Sequence, residues 1–295
     1  MNRVLLKFLV TLWKLIVLLP RPIQLFLGQI LGHLLYLSSM KRNHFSKKNI
    51  DLCFPSLNDE QRKGMHKLNI LLSGRILFDS GISWFWSDKR INSEIDYEIK
   101  GLDKILDEQK SKKGVLLFFK HSLHLELDAR LIAINAEIYG VERVHNSDLF
   151  DSIQGSGRLM SMQGVCDRNS PIKFIRWLKK GKTVLYATDQ DYGMGQSNIV
   201  NFFGVPSATI SAPLKIVKST NCKTYFMNTF VENNKYILDI QEMNLDQINE
   251  INFSSDLNIF MENKIKSHPE EYLWQHRRFK STLGKENFYA NNEQI

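Results

Sequence analysis

Cysteine is scarce. Cys53, Cys166 and Cys222 lie far apart with no C-x-x-C pair, which excludes a disulfide scaffold and a cysteine-rich zinc module and suits a reducing compartment. Several catalytic signatures are missing too. There is no G-x-S-x-G elbow, Walker loop or H-E-x-x-H, and the pair Gly155 and Gly157 lacks the third glycine of a dinucleotide fingerprint. Internal repeats, low-complexity tracts and long linkers are absent. A small-x-small site after the first apolar run is also lacking, so the N-terminal segment reads as retained rather than cleaved.

The most informative absence is that of acid near the N-terminus. Arg3, Lys7, Lys14, Arg21, Lys41, Arg42, Lys47 and Lys48 fall within the first 50 residues with no Asp or Glu, and they account for the whole net charge of +8. These cations are interleaved with Leu, Ile, Val, Phe and Trp, which fits a lipid surface rather than a phosphate groove, so nucleic acid is not expected as a partner. At about 100° per residue Arg3, Lys7 and Lys14 share one arc of a helix over Val4 to Pro20. Pro20 and Pro22 should break it. The uncharged run from Pro22 to Met40 approaches the length of a bilayer span, but Gln24, Gln29 and His33 suit an interfacial hairpin or tilted anchor at least as well. The alternative is that these helices simply cover the core.

The remainder is ordinary globular sequence. With 295 residues, 43% of them hydrophobic, the chain can bury a sizeable core. Helical spacing, with a start at Asn58 to Glu60, predicts one long helix from 58 to about 85, and a short one near 102–106. Strands are expected at 115–119 and 183–187, and helices at 123–134, 148–160 and 171–179. Further strands are expected near 223–230 and 235–240, with helices near 208–218, 257–266 and 270–279. This alternation predicts an α/β fold, a mixed sheet covered by helices, with N-terminal membrane helices. Residues 1–48 read as a basic apolar anchoring arm and 49–295 as a catalytic domain.

The stretch from Gly114 to Asp128 carries the chemistry. An apolar strand ends at Lys120, placing His121 where the chain turns into a helix bearing Glu126 and Asp128, at the strand end where open α/β sheets bind ligands. A neutral imidazole oriented by a carboxylate can take a proton from a hydroxyl, which makes His121 a candidate general base and Glu126 its partner. The two can meet only if His121 precedes the regular helix. His124 and Asp128, four apart, read as an ordinary surface pair. Asp189, Asp191 and Glu126 offer oxygens for a hard cation, but nothing fixes the other ligands, so no metal is expected.

Taken in order, these segments resemble the late, or secondary, acyltransferases of lipid A biosynthesis, within the lysophospholipid and glycerolipid acyltransferase superfamily. His121 to Glu126 is similar to the superfamily's H-x4-D/E motif. Cys166, Asp167 and Arg168 stand where a second block carries an aspartate and an arginine, and Thr188 to Gly193 is similar to a P-D-H-D-Y-G block. Asn49 to Pro55, Trp84 to Trp86 and Tyr272 to Lys280 also look like family segments. The sequence departs from the family at Arg143, Val144, His145 and Asn146, where R-P-N-D is frequent, and at Thr188, which replaces a proline.

The resemblance implies transfer of a fatty acyl chain from acyl carrier protein to a hydroxyl of a Kdo-bearing lipid A precursor, with no cofactor beyond that thioester donor. It places the catalytic domain on the cytoplasmic side of a bacterial inner membrane, docked on anionic lipids. Arg168, and beside it Arg143, Arg158, Arg277 and Arg278, would give fork-shaped contacts to acceptor phosphates, with Asp189 and Asp191 also at the substrate site. The alternatives left open are acylation of a glycerophospholipid or another lipid alcohol, and a non-catalytic membrane-docked binding protein.

Overall fold

The computed structural model describes residues 3–143, 147–245 and 248–290. The N-terminal part is helical: α1 (Arg3–Ile16), α2 (Arg21–Leu37), α3 (Lys41–Cys53), α4 (Asp59–Ser73), α5 (Ile76–Phe85) and α6 (Asp88–Glu94). Strands and helices then alternate through β1 (Tyr97–Lys100), α7 (Leu102–Lys110), β2 (Val115–Phe119), α8 (Leu125–Asn135), β3 (Ile138–Glu142) and α9 (Asp148–Arg158). They continue through β4 (Gly164–Asp167), α10 (Pro171–Lys179), β5 (Thr183–Ala187), β6 (Ser197–Phe202), β7 (Val205–Ile210) and α11 (Ala212–Thr220). The chain closes with β8 (Lys223–Glu232), β9 (Lys235–Glu242), α12 (Glu250–Ser267) and the single turn α13 (Lys280–Leu283).

Seven strands form one mixed sheet in the order β1-β9-β8-β2-β5-β3-β4, and only the β8/β9 hairpin pairs antiparallel. β2 and β5 lie inside it, and every residue of Val115–Phe119 is buried, as the uninterrupted apolar run requires of a strand covered on both faces. Helices α10, α11 and α12 pack one face around Phe118, Phe174, Phe226 and Leu257. Helices α5, α7 and α8 cover the other around Leu117, Leu127, Leu185 and Ile82. β6 and β7 form a separate hairpin.

The single helix expected over 58–85 is two, α4 and α5, broken at Gly74 and Arg75. Its start is as expected: Asn58 accepts from the Gln61 amide and Gln61 reaches back to the Asn58 amide. The break lies where α2 crosses. A Cβ on Gly74 would sit 2.0 Å from the Gly28 carbonyl oxygen, and one on Gly32 would sit 2.1 Å from that of Leu71, so the helices touch backbone to backbone. Two further differences concern Ala208–Ile210, which belong to β7 rather than a helix, and 270–279, which is a succession of turns with a single bridge at Tyr272 rather than a helix.

The N-terminal helices are packed into the body. Val17, Gln24 and Ser46 are fully buried. Phe8, Leu12, Leu15 and Leu18 of the α1 region and Phe26, Leu34 and Leu37 of α2 face outward, with Lys7 and Lys14 exposed among them. Among the described residues no single helix is long and apolar enough to cross a membrane; α2 and α3 pass that test only as a pair bent by 82°. The side chain of Arg3 lies outside the described residues.

Candidate active site

The parallel register of the two inner strands builds the centre of the site. Phe119 of β2 lies opposite Ala187 of β5, so the residues two positions beyond each strand end, His121 and Asp189, come side by side at the carboxyl edge of the sheet. Asp189 accepts twice from His121: from the backbone N–H at 2.8 Å and from ring Nδ1 at 2.6 Å. Fixing the proton on Nδ1 leaves Nε2 as the basic nitrogen, and no described residue bonds it. Burial of Asp189 opposes its charge, but His121 and His276 outweigh that effect and hold the carboxyl well below the usual carboxylate range.

His276 is kept neutral, its pKa lowered to about 4 chiefly by burial. It approaches the Asp189 carbonyl at 3.2 Å from the segment that follows α12. That segment runs beside the turn that carries His121: Leu123 donates to the Glu271 carbonyl at 3.0 Å and Leu273 to the His121 carbonyl at 2.9 Å. Asn49 and Asn69 donate to the carbonyls of Trp274, His276, Glu270 and Tyr272, which holds 270–276 in its turns against α3 and α4.

The carboxylate on His121 is therefore that of Asp189, whereas the sequence reading gave this task to Glu126. Glu126 sits on the first turn of α8, facing α9 and α5 instead. It accepts from Trp84 Nε1 at 2.8 Å, Gln154 Nε2 at 3.2 Å and Arg158 Nε at 3.1 Å, and from Arg158 Nη2. Burial works against its charge, yet Arg158, Trp84 and Gln154 together lower its pKa. Arg158 also donates to Glu142 at the end of β3, so its guanidinium is shared between two carboxylates. Among the described residues no hydrogen bond joins Glu126 to His121, though both line one cleft of about 570 Å³.

His124 and Asp128 do not form a surface pair. Both are buried, His124 as the residue that begins α8. Its Nδ1 meets Asp128 at 2.7 Å, and its Nε2 lies 3.2 Å from Glu271, off the line of a hydrogen bond. Burial disfavours the imidazolium, but the two carboxylates outweigh it and push the pKa up to about 10. Ser122 donates to the other oxygen of Asp128 at 2.6 Å, which ties the turn after β2 to the same pair. Beside it Lys120 is buried, with Nζ on the Thr229 carbonyl at 2.7 Å and its pKa lowered by burial to about 8.

The other expected site residues divide by accessibility. Arg168 is half-buried on the cleft, its guanidinium 4.8 Å from the Tyr192 ring centroid, and among the described residues it pairs with no carboxylate. Arg143 is exposed on the rim, whereas Val144, His145 and Asn146 lie outside the described residues. Arg277 lines the cleft beside Phe45. Arg278 does not: it is 1% exposed and donates to the Ala208 carbonyl and Thr209 Oγ1, a buried brace for β7. Asp191 borders the cleft, but its oxygens accept from Ser281 N–H, Ser281 Oγ and the Gly193 amide, anchoring the start of α13. Among the described residues no three His, Cys, Asp or Glu side chains converge as metal ligands.

Gln154 and Glu142 border the cleft without having been singled out in the sequence, and Trp84, noted there only as part of a family-like segment, turns out to hold Glu126. Only the strand register carries the signal that pairs His121 with Asp189: each lies two residues past a central strand. The resulting arrangement is an imidazole held through Nδ1 by a buried carboxylate, on a cleft where, among the described residues, Arg168, Arg143 and Arg277 pair with no carboxylate.

Comparison with known proteins gives the family. The family of bacterial lipid A biosynthesis acyltransferases matches residues 2–281. The lipid A biosynthesis lauroyltransferase of Escherichia coli (strain K12) is 34% identical over 275 residues, covering 92% of this chain and 89% of its own. The lipid A biosynthesis palmitoleoyltransferase of the same organism is 32% identical over 276 residues, covering 92% and 90%. A lipid A biosynthesis acyltransferase of Haemophilus influenzae (strain ATCC 51907 / DSM 11121 / KW20 / Rd) is 31% identical over 282 residues, covering 92% and 89%. A family match over nearly the whole chain, with relatives above 30% identity along the same length, makes this protein a member of the bacterial lipid A biosynthesis acyltransferases.

Proposed function

We propose that the protein moves a fatty acyl chain from an acyl carrier protein thioester to a free hydroxyl of a Kdo-bearing lipid A precursor. The observation that carries this reading is the His121–Asp189 pair, at 2.6 Å, opening on a cleft bordered by Arg168, Arg143 and Arg277. His121 Nε2 takes the proton of the acceptor hydroxyl as its oxygen attacks the thioester carbonyl, and Asp189 stabilises the imidazolium that forms. The C–O bond forms, the C–S bond breaks, and the proton held by His121 passes to the departing thiolate. Backbone amides at the start of α8 would supply the donors for the oxyanion that develops. No covalent enzyme intermediate is needed.

Two features of the surface fit the substrates. Arg168 lacks a carboxylate partner among the described residues, and its planar fork suits a phosphate. Phe8, Leu15, Leu18 and Phe26 face outward among Lys7 and Lys14, with Lys41, Arg42, Lys47 and Lys48 following on α3, a combination suited to the anionic cytoplasmic face of an inner membrane. Asp189 takes the orienting role, while Glu126, Arg158 and Glu142 act as positioning residues for the wall of α8 and α9.

The test is mass spectrometry of a Kdo-bearing lipid A precursor in vesicles, incubated with the protein and lauroyl, myristoyl or palmitoleoyl acyl carrier protein. The expected result is a gain of one acyl mass with one preferred donor. Consumption of the thioester with a glycerophospholipid acceptor, and none with the lipid A precursor, would overturn the acceptor assignment.

A further inference from the structure

The helix that faces outward is linked to the wall of the cleft by two indole rings and one hydrogen bond. Trp13 lies on the inner side of α1, where its Nε1 donates to the Leu77 carbonyl at 2.8 Å. Its ring meets Trp84 edge to face at 5.4 Å and Phe85 at 5.2 Å. Trp84 in turn donates to Glu126 Oε2 at 2.8 Å. The far side of Trp84 is held by α9: Phe150 packs at 5.6 Å, and a Cβ on Gly157 would lie 2.5 Å from the Trp84 Cβ. Glu126, Gln154 and Arg158 complete that wall.

Contact between α1 and α5 is close enough to transmit displacement. A Cβ on Gly81 would lie 2.5 Å from Val17 and 2.8 Å from the Trp13 indole. The end of α1 is fixed by Trp86 Nε1 and Gln24 Nε2, both donating to the Val17 carbonyl at 2.8 Å. On the opposite side of the same helix Phe8 is 64% exposed and Leu15 58%. One helix thus carries an apolar outer face and an inner ring that touches a holder of Glu126.

We propose that Trp13 is a positioning residue for Glu126 and Arg158, so that seating α1 on lipid is felt inside the cleft rather than serving only to concentrate the enzyme at its acceptor. The inference rests on the proposed lipid docking of α1. Burial of the outer face fixes the tilt of α1, Trp13 then fixes the plane of Trp84, and the Trp84 N–H holds Glu126 where Arg158 and the first turn of α8 need it. A displacement of about 1 Å at a reacting centre can cost on the order of a hundredfold in rate, so a short rigid relay suffices.

The experiment uses the full chain on anionic vesicles at saturating lipid, so that every variant is fully bound. Trp13→Ala should lower kcat by roughly tenfold to a hundredfold with KM for the donor little changed, and Trp13→Phe, which keeps the ring edge, should restore most of it. Trp84→Phe removes the donor to Glu126 and should cost as much. Because both residues act through one hydrogen bond, the double variant should be no slower than Trp84→Phe alone. Should Trp13→Ala fail to fold, Trp13→Leu is read in the same way.

A second readout does not depend on turnover. In protein labelled with 5-fluorotryptophan, the 19F resonance of Trp84, assigned by its loss in Trp84→Phe, should shift when vesicles are added to wild type and stay fixed in the Trp13 variant. Wild-type inactivity with every donor would count against the proposed reaction and leave this resonance free to judge Trp13. Bound, folded Trp13 variants with wild-type kcat, additive losses in the double variant, or a Trp84 resonance indifferent to vesicles would overturn the proposal.

Discussion

Replacing His124 should damage folding as severely as replacing His121 damages turnover. His124 is buried between Asp128 and Glu271, themselves 1% and 6% exposed, so removing the imidazolium leaves two carboxylates in the interior without the cation they share. Breaking a buried ion pair from one side costs about 3–5 kcal/mol, a large part of the roughly 5–15 kcal/mol that separates folded from unfolded chains. His124→Gln, which keeps one N–H donor, isolates the charge. The pH dependence has a defined sign. The pKa of His124 is raised in the fold from 6.5 to about 10, so its stabilising contribution is complete below the unfolded value and is lost as pH rises toward 10. Urea unfolding of wild type and His124→Gln between pH 6 and pH 10 should show a gap of several kcal/mol near neutrality that narrows as pH approaches 10. A gap under about 1 kcal/mol, or one independent of pH over that range, would refute the buried imidazolium.

Other consequences are more local. Gly74→Ala would push a methyl group against the Gly28 carbonyl, and should destabilise by about 1–3 kcal/mol or more in urea unfolding; a change below about 0.5 kcal/mol would mean that α2 and α4 part freely. Arg168→Lys keeps the charge and loses the fork, so acyl transfer should fall at least roughly tenfold with stability unchanged; normal kinetics would remove the bidentate phosphate contact. Replacing Lys7 and Lys14 by Gln should weaken partition onto anionic vesicles at low salt far more than at about 1 M salt, where screening is nearly complete; equal partition across the salt series would contradict charge-assisted docking.

What was legible in the sequence follows from how local its cause is. β2 and β5 could be read because Val115–Phe119 and Val184–Ala187 are apolar runs with Gly and charged residues close on either side. β3 and β4 are interrupted by Gly140 and begun by Gly164, so their strand character comes from the neighbours they pair with. The β6/β7 hairpin turns on Phe203 and Gly204, both at positive φ, a turn that a phenylalanine does not advertise. Residues 270–279 have apolar spacing that suits a helix, but side-chain amides of Asn49 and Asn69, some 200 residues earlier, claim their carbonyls. The same contrast governs the site. His121 could be placed at a strand end from its own neighbours, whereas its carboxylate comes from 68 residues away, and the nearby Glu126 faces another helix.

His121, oriented by Asp189, is the proposed base of acyl transfer. The most direct measurement is single-turnover transfer from a carrier-protein thioester to vesicle-borne lipid A precursor by wild type, His121→Gln, Asp189→Asn and the double variant, with circular dichroism of each. Loss of a general base costs ~10²–10⁴-fold, so each folded single variant should lose a large part of that range. Since the two groups work as one unit, the double variant should be little slower than His121→Gln alone. A folded His121→Gln enzyme with near-normal rate, or losses that multiply in the double variant, would contradict the account.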